Sequence, residues 1–291
     1  MTYVLVTILL VQVLSHFVPD LARLRRFDWF ASWATWLSGR IDGESWRNGY
    51  TVLALIALPL LLIGVLQALL AQPLYGLPGF LFAVAVLFYS WGPRDLDRDV
   101  EAAASADVID RPQVVRGVFG QGAPTSASAA AGLVGRAAQR RWFGPMLWFV
   151  ILGPVGALLY RLADLGAHEG GDILSLEQQS VAARLQAILD WPVAALIALG
   201  TAISTDFDTV LHAWRRRLAL TGGPFVFDAQ LVPVVVAAGV KADLEEEGVA
   251  EDEFGYTDAD LVLRDALNVV WRVLIVWMAI LALVALASLL A

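Results

Sequence analysis

The chain is 291 residues long, 58% hydrophobic and only 16% charged, with a net charge of −8 and a mean hydropathy of +0.67. It is too apolar for a soluble domain of that length, and its acidic balance excludes nucleic acid as a partner. It holds no cysteine, which excludes disulfides, thiolate nucleophiles and thiolate-held metals; three scattered histidines leave little for a His-based metal site, and a single lysine, Lys241, argues against a lysine nucleophile.

The first apolar run, Tyr3–Val18, lacks a basic leader and a small-x-small cleavage site, so it is expected to be retained. At about 16 residues, with Gln12, Ser15 and His16 near its end, it predicts either a short span or a helix buried against the bundle. Pro19–Gly49 mixes Arg23, Arg25 and Arg26 with Trp29, Trp33, Trp36 and Trp46. The spacing of 29, 33 and 36 places three indoles on one face, predicting an amphipathic helix at headgroup level. Tyr50–Leu70 and Leu74–Trp91 are hydrocarbon-length runs joined only by Ala71–Pro73, a tight helical hairpin, with Pro59 expected to kink the first.

Gly92–Arg141 opens with Pro93 at an expected first helical turn, followed by Asp95, Asp97, Asp99 and Glu101, acids favoured at a helix start. Gly117-x-x-Gly120-x-Gly122 lacks the Lys-Ser/Thr ending of a phosphate loop. Ala123–Gly135 reads as a flexible link or a loosely packed helix, and Ala137–Trp142 as an interfacial anchor for the next span, Trp142–Leu162. Glu177–Leu189 is expected along the outer interface, with Asp190-Trp191-Pro192 starting a new helix that shortens the span Leu185–Ile203. Asp206–Asn268 holds Arg215–Arg217, a Gly222-Gly223-Pro224 break and the acidic run Glu245–Asp260, and Val269–Ala291 is the last span. No internal repeat is evident, which leaves an inverted-repeat transporter without support.

Positive charge sorts the loops. Segments 19–49, 92–141 and 204–268 hold five, seven and five basic residues, whereas 71–73 holds none and 163–184 only Arg184. The resulting expectation is an all-α, polytopic helical bundle, a single membrane domain over 1–291 in a bacterial inner membrane. About six apolar helices, four to six of them spanning, put both termini outside and make 92–141 and 204–268 cytoplasmic. The four-span alternative would export Arg215–Arg217.

Two groups of residues carry possible chemistry. Arg94, Asp95, Asp97, Arg98 and Asp99, with Glu101, could hold Mg2+ and a phosphorylated ligand, since hard cations take carboxylates and arginines clamp phosphate. The plainer reading is a solvated, self-paired helix start. Arg161, Asp164, Asp190 and Arg272 are polar groups within or beside apolar runs, where charge is costly. Snorkelling accounts for Arg161 and Arg272 and N-capping for Asp190, and a pair between Arg161 and Asp190 is the sharper alternative. No Ser-His-Asp or Cys-His arrangement is present.

Arg141-Trp-Phe-Gly-Pro-Met-Leu-Trp-Phe through Tyr160-Arg161-Leu-Ala-Asp164, followed by Ala183-Arg-Leu-Gln-Ala-Ile-Leu-Asp190-Trp191-Pro192, resembles the AmpE family of regulatory signalling modulators associated with beta-lactamase induction. That family is in turn similar to the cobinamide-phosphate synthase family of cobalamin biosynthesis. The latter carries a polar Gly-Arg-Asp-Thr-type loop where this chain reads Gly-Ala-Pro-Thr-Ser-Ala-Ser-Ala-Ala-Ala within 111–139. The AmpE resemblance therefore implies a non-catalytic inner-membrane protein without a cofactor, linked to cell-wall recycling and partnered with the bilayer and an AmpD-type amidase or an unknown small ligand. The alternative is a divergent enzyme of the synthase type, acting with Mg2+ at the cytoplasmic face on a phosphorylated or amphipathic small molecule.

Overall fold

The computed structural model describes residues 2–17, 25–70, 76–92, 94–107, 109–120, 124, 126–168, 171, 173–221, 227–248 and 259–290. Among them the regular structure is helical: α1 (Thr2–Phe17), α2 (Asp28–Ser38), α3 (Gly43–Arg47), α4 (Thr51–Leu70), α5 (Leu77–Ser90), α6 (Leu96–Ala104), α7 (Arg111–Phe119), α8 (Ala127–Ala138), a π-helical turn over Gln139–Phe143, α9 (Gly144–Leu152), α10 (Pro154–His168), α11 (Leu176–Ser204), α12 (Phe207–Thr221), α13 (Leu231–Glu246) and α14 (Ala259–Leu290). Thr51–Leu70, Leu176–Ser204 and Asp260–Leu290 are long and apolar enough to cross a membrane, and Tyr3–Ser15 and Leu77–Ser90 are apolar but shorter. The chain is an all-helical membrane bundle, as expected. It divides into two compact units, Met1–Pro93 with Gly144–Leu189, and Arg94–Phe143 with Asp190–Ala291.

In the first unit α4 buries Val52, Leu55 and Ile56 and leaves Leu58, Leu61, Leu62, Val65 and Leu69 exposed. A helix with so much uncovered hydrocarbon is stable only with lipid against it. α1 buries Val4, Ile8 and Val11, one stripe at helical spacing, and exposes Val6, Leu9, Leu10 and Val13. α2 packs Phe30, Ala34 and Leu37 into a core shared with Leu158, Leu162 and Leu165 of α10, while Trp36 faces outward, stacked on Trp33 at 4.9 Å. The amphipathic reading of that segment holds.

The expected span Trp142–Leu162 is not one crossing. Gly153 adopts φ +67°, a left-handed conformation that suits glycine, and Pro154 starts α10 with the φ a first turn needs. The chain therefore doubles back into an α9–α10 hairpin. Its two arms touch so closely that a Cβ on Gly144 would lie 2.0 Å from Tyr160 Cζ, and one on Gly156 2.0 Å from the Trp148 carbonyl oxygen. At the tip, the Val155 amide donates to Gln67 Oε1 of α4 (3.3 Å). Beyond the hairpin, Ser175 Oγ donates to the Arg47 carbonyl (3.3 Å) and Gln178 Nε2 to that of Trp46 (2.7 Å). The residues after α10 thus lie beside those that precede α4, which corrects the expectation that 163–184 and 19–49 face opposite sides.

α11 also departs from the pattern. It runs unbroken through Asp190-Trp191-Pro192, with no new start. Pro192 has no N–H for the Ile188 carbonyl. Side-chain donors serve the neighbouring turn instead: Trp148 Nε1 reaches the Leu189 carbonyl (3.1 Å) and Gln139 Nε2 that of Asp190 (3.5 Å).

In the second unit the small-residue tract is neither flexible nor loosely packed. Ser126 caps α8 by accepting from the Ala129 amide, and Ala130, Ala131, Val134 and Ala138 are fully buried against α13 and α14. The glycines permit this approach, since a Cβ on Gly132 would meet Pro233 Cβ at 2.9 Å and one on Gly135 would meet Val236 Cγ2 at 2.9 Å. α13, carried by the apolar run from Leu231 and with Pro233 in its first turn, is a core helix of a segment expected to be soluble surface. Most of the acidic run Glu245–Asp260 lies outside the described residues.

Candidate functional site

α6 begins later than Pro93, which lies outside the described residues: Asp95 is its N-cap and accepts from the Asp97 amide (3.0 Å). Leu96, Val100 and Ala103 face the core, and the same rotation buries Asp99, which is 4% exposed. A buried carboxylate must be paired, and here two guanidiniums answer it. Arg94 Nε donates to Oδ1 (3.0 Å) and Arg141 Nη1 to Oδ2 (2.7 Å). The same arginines donate to the Gly117 (3.4 Å) and Val118 (2.8 Å) carbonyls, in the last turn of α7, whose end is closed by Gly120 at φ +69°. Arg141 is therefore an internal clamp, and Trp142, buried edge-to-face against Trp271 at 5.2 Å, is no lipid anchor.

The other acids of α6 go elsewhere. Asp97 accepts from Trp271 Nε1 (2.6 Å), Asp95 pairs with Arg98 at 3.9 Å, and Glu101 pairs with Arg264 at 3.1 Å. Asp95, Asp97 and Asp99 thus turn to three separate partners, and among the described residues no three His, Asp or Glu gather to hold a metal. The carboxylates of α6 therefore form no shared oxygen cage. Asp99 neutralises one of its two arginines, and Arg94 and Arg98 keep exposed guanidinium surface that an anion could meet.

The first unit holds a second polar centre. Arg161, 3% exposed, donates to Asp164 Oδ2 (2.9 Å) and to the Trp91 carbonyl (3.3 Å), and lies over the Phe27 ring at 5.5 Å. Arg25 donates to the next carbonyl, Gly92 (2.8 Å), so two cations close the C-terminal end of α5, where the helix dipole favours them. The carboxylate that answers Arg161 is Asp164, one turn along the same helix, and not Asp190. Snorkelling to headgroups is also ruled out by its burial. Asp164, 1% exposed, holds His168 on its other side: Nδ1 lies 3.3 Å from Oδ1 and 3.1 Å from the Asp164 carbonyl.

Asp190 lies in mid-helix and is not an N-cap. Arg272 pairs with Asp243 and donates to the Ser204 carbonyl (3.3 Å). On the surface of the second unit Arg217 pairs with Asp228, and that guanidinium holds the carboxyl below the usual aspartate range. Arg136 is held below the ordinary arginine range, first by burial and then by Arg140.

His168 and Trp271 are not singled out by sequence, and the partners of Arg25 and Arg141 are not foreseen there, Arg141 being expected in an interfacial anchor. Two signals were present for His168: the spacings Arg161-x-x-Asp164 and Asp164-x-x-x-His168 put all three on one helical face. Arg25 and Trp271 gave none, because their partners are distant in sequence.

No family model matches the chain, and no solved structure matches it. It is similar to the cobalamin biosynthesis protein CobD of Stutzerimonas stutzeri (strain A1501), at 28% identity over 256 residues, covering 82% of this chain and 83% of that protein. Of the two resemblances carried by 141–192, this is the cobalamin side.

Proposed function

We propose that the chain is a multi-pass membrane protein of cobalamin biosynthesis, acting on an amphipathic, phosphorylated precursor at the face where its arginines gather. The observation that carries this reading is the likeness to a cobalamin biosynthesis protein along more than four fifths of both chains. The geometry lends support: arginines 94 and 98 offer the charge a phosphate needs, beside a bilayer that would hold the apolar part of such a molecule. Expression in a bacterium lacking its own membrane protein of this kind should restore growth that depends on cobalamin made from precursors. Failure of a well-inserted, well-expressed protein to do so would overturn the reading.

A second reading, AmpE-type signalling at a bacterial inner membrane, is favoured by one feature. The stretch where the synthase family carries a polar loop is here partly the buried, small-residue helix α8. It expects altered beta-lactamase induction on deletion and co-purification with an AmpD-type amidase, with no effect on cobalamin-dependent growth.

A further inference from the structure

We propose that Arg40, stacked on Trp36, binds the phosphate of an anionic phospholipid where α4 enters the bilayer. The site begins with a proline. Pro59 has no N–H, so the Leu55 carbonyl one turn earlier in α4 lacks its helical donor. Trp33 Nε1 of α2 supplies the missing hydrogen bond at 3.1 Å. That contact pins one indole to the span, and Trp36 stacks on it at 4.9 Å with the two rings 21° apart. Arg40 lies in turn over the Trp36 ring, its Cζ 3.6 Å from the centroid. A row of two indoles and a guanidinium is thus built from the backbone of α4 to the surface, where Trp36 and Arg40 are both exposed.

The depth of this row follows from helix length. α4 has 20 residues, about 30 Å at the rise of an α-helix and close to the thickness of the hydrocarbon core. Its first residue, Thr51, therefore sits at one headgroup level, with Leu55 about 6 Å inside it. Tyr50, just before the span, is exposed as interfacial aromatics are. Stacking covers a face of the Arg40 guanidinium and leaves its N–H edge to fork onto two phosphate oxygens. No carboxylate competes for that edge. Arg40 has no ion pair among the described residues, and Asp42, close in sequence, accepts instead from the Ser45 amide (3.4 Å) and Oγ (2.8 Å). The exposed Trp36 beside it offers apolar surface to the glycerol end of the acyl chains. An unpaired cation, an aromatic platform and the end of a span at one level match a lipid phosphate.

The test uses full-length protein in detergent, given dioleoylphosphatidylglycerol or dioleoylphosphatidylcholine, with bound lipid counted by native mass spectrometry. Wild type should retain the anionic lipid in preference to the zwitterionic one. Arg40→Gln should lower phosphatidylglycerol retention about fivefold, the effect of one basic residue at a membrane surface, and Trp36→Leu should lower it as well. Arg47→Gln removes another exposed cation that precedes the same span and should leave retention unchanged. No preference in wild type, no loss in Arg40→Gln or Trp36→Leu, or an equal loss in Arg47→Gln, which would mean diffuse attraction, overturns the site. Displacement of the lipid by an equal concentration of inorganic phosphate overturns the lipid assignment in favour of a free anion. Wild type alone gives an independent check: phosphatidylglycerol carrying a photo-crosslinker on its headgroup should label segment 36–40, and labelling confined to other segments overturns the proposal.

Discussion

Asp99 shows how much a single side chain can commit. It pairs with two arginines that in turn close the end of α7, so Asp99→Asn takes a carboxylate from Arg141 inside the second unit. The expected cost is about 3 kcal/mol, the scale for breaking a buried pair, read as a lowered midpoint of tryptophan-fluorescence unfolding. Arg94→Gln should cost much less, because that side chain is half in water. Equal effects of the two changes would mean that Asp99 is not the hub. Asp228 gives the pH-dependent case. Its folded carboxyl lies below the ordinary aspartate range, chiefly through the hydrogen bonds from Arg217, so the pair's contribution is complete above that ordinary range. It is lost as pH falls through the lowered folded value. Asp228→Asn should therefore destabilise the protein at neutral pH by no more than about 1 kcal/mol and be indistinguishable from wild type in strong acid. A difference that grows on acidification would refute the pairing.

At the scale of elements, the α9–α10 hairpin depends on glycines with no room for a methyl group. Gly156→Ala would drive a Cβ into the Trp148 carbonyl, and since backbone cannot yield as a flexible side chain does, a loss of about 1–3 kcal/mol or more is expected. An unchanged unfolding midpoint would sink the fold-back. Hydropathy could not reveal this hairpin, because each arm is as apolar as a span and only Gly153-Pro154 marks the bend. The same blindness affected α8 and α11. Small residues read as flexible when nothing is known to cover them, and here α13 covers them. A proline after Asp-Trp reads as a start, yet donors from Trp148 and Gln139 let the helix continue. What the sequence did make legible was what depends on local spacing: the tryptophan face of α2, the paired runs that became α4 and α5, and the charge-rich start of α6. The partners of Arg141, Arg161 and Arg272 were not legible, because long side chains choose among several carboxylates only once the helices have packed.

For the molecule as a whole, the hairpin changes the order of crossings. Counting arginines placed 163–184 across the membrane from 19–49, whereas the contacts of Ser175 and Gln178 bring the start of α11 to the start of α4. The cysteine-free chain makes the test direct. Gly43 and Gly171 both have open space where a Cβ would go, so Gly43→Cys and Gly171→Cys should fold normally. In sealed vesicles of one orientation, an impermeant maleimide should label both or neither. Labelling of one alone restores the six-crossing order.

Gln67 links that architecture to the order in which the chain is made. Its amide belongs to α4, otherwise an apolar helix, and the backbone group it serves, the Val155 N–H, is synthesised 88 residues later. During that interval the helix must enter the bilayer carrying a polar group with no protein partner, which makes insertion less favourable than it would be with leucine there. Gln67→Leu should accordingly ease the entry of α4 in a membrane-insertion assay, yet leave the finished protein less stable because the hairpin tip loses its acceptor. Evolution has here accepted a harder first step in biogenesis to secure a bend that forms last.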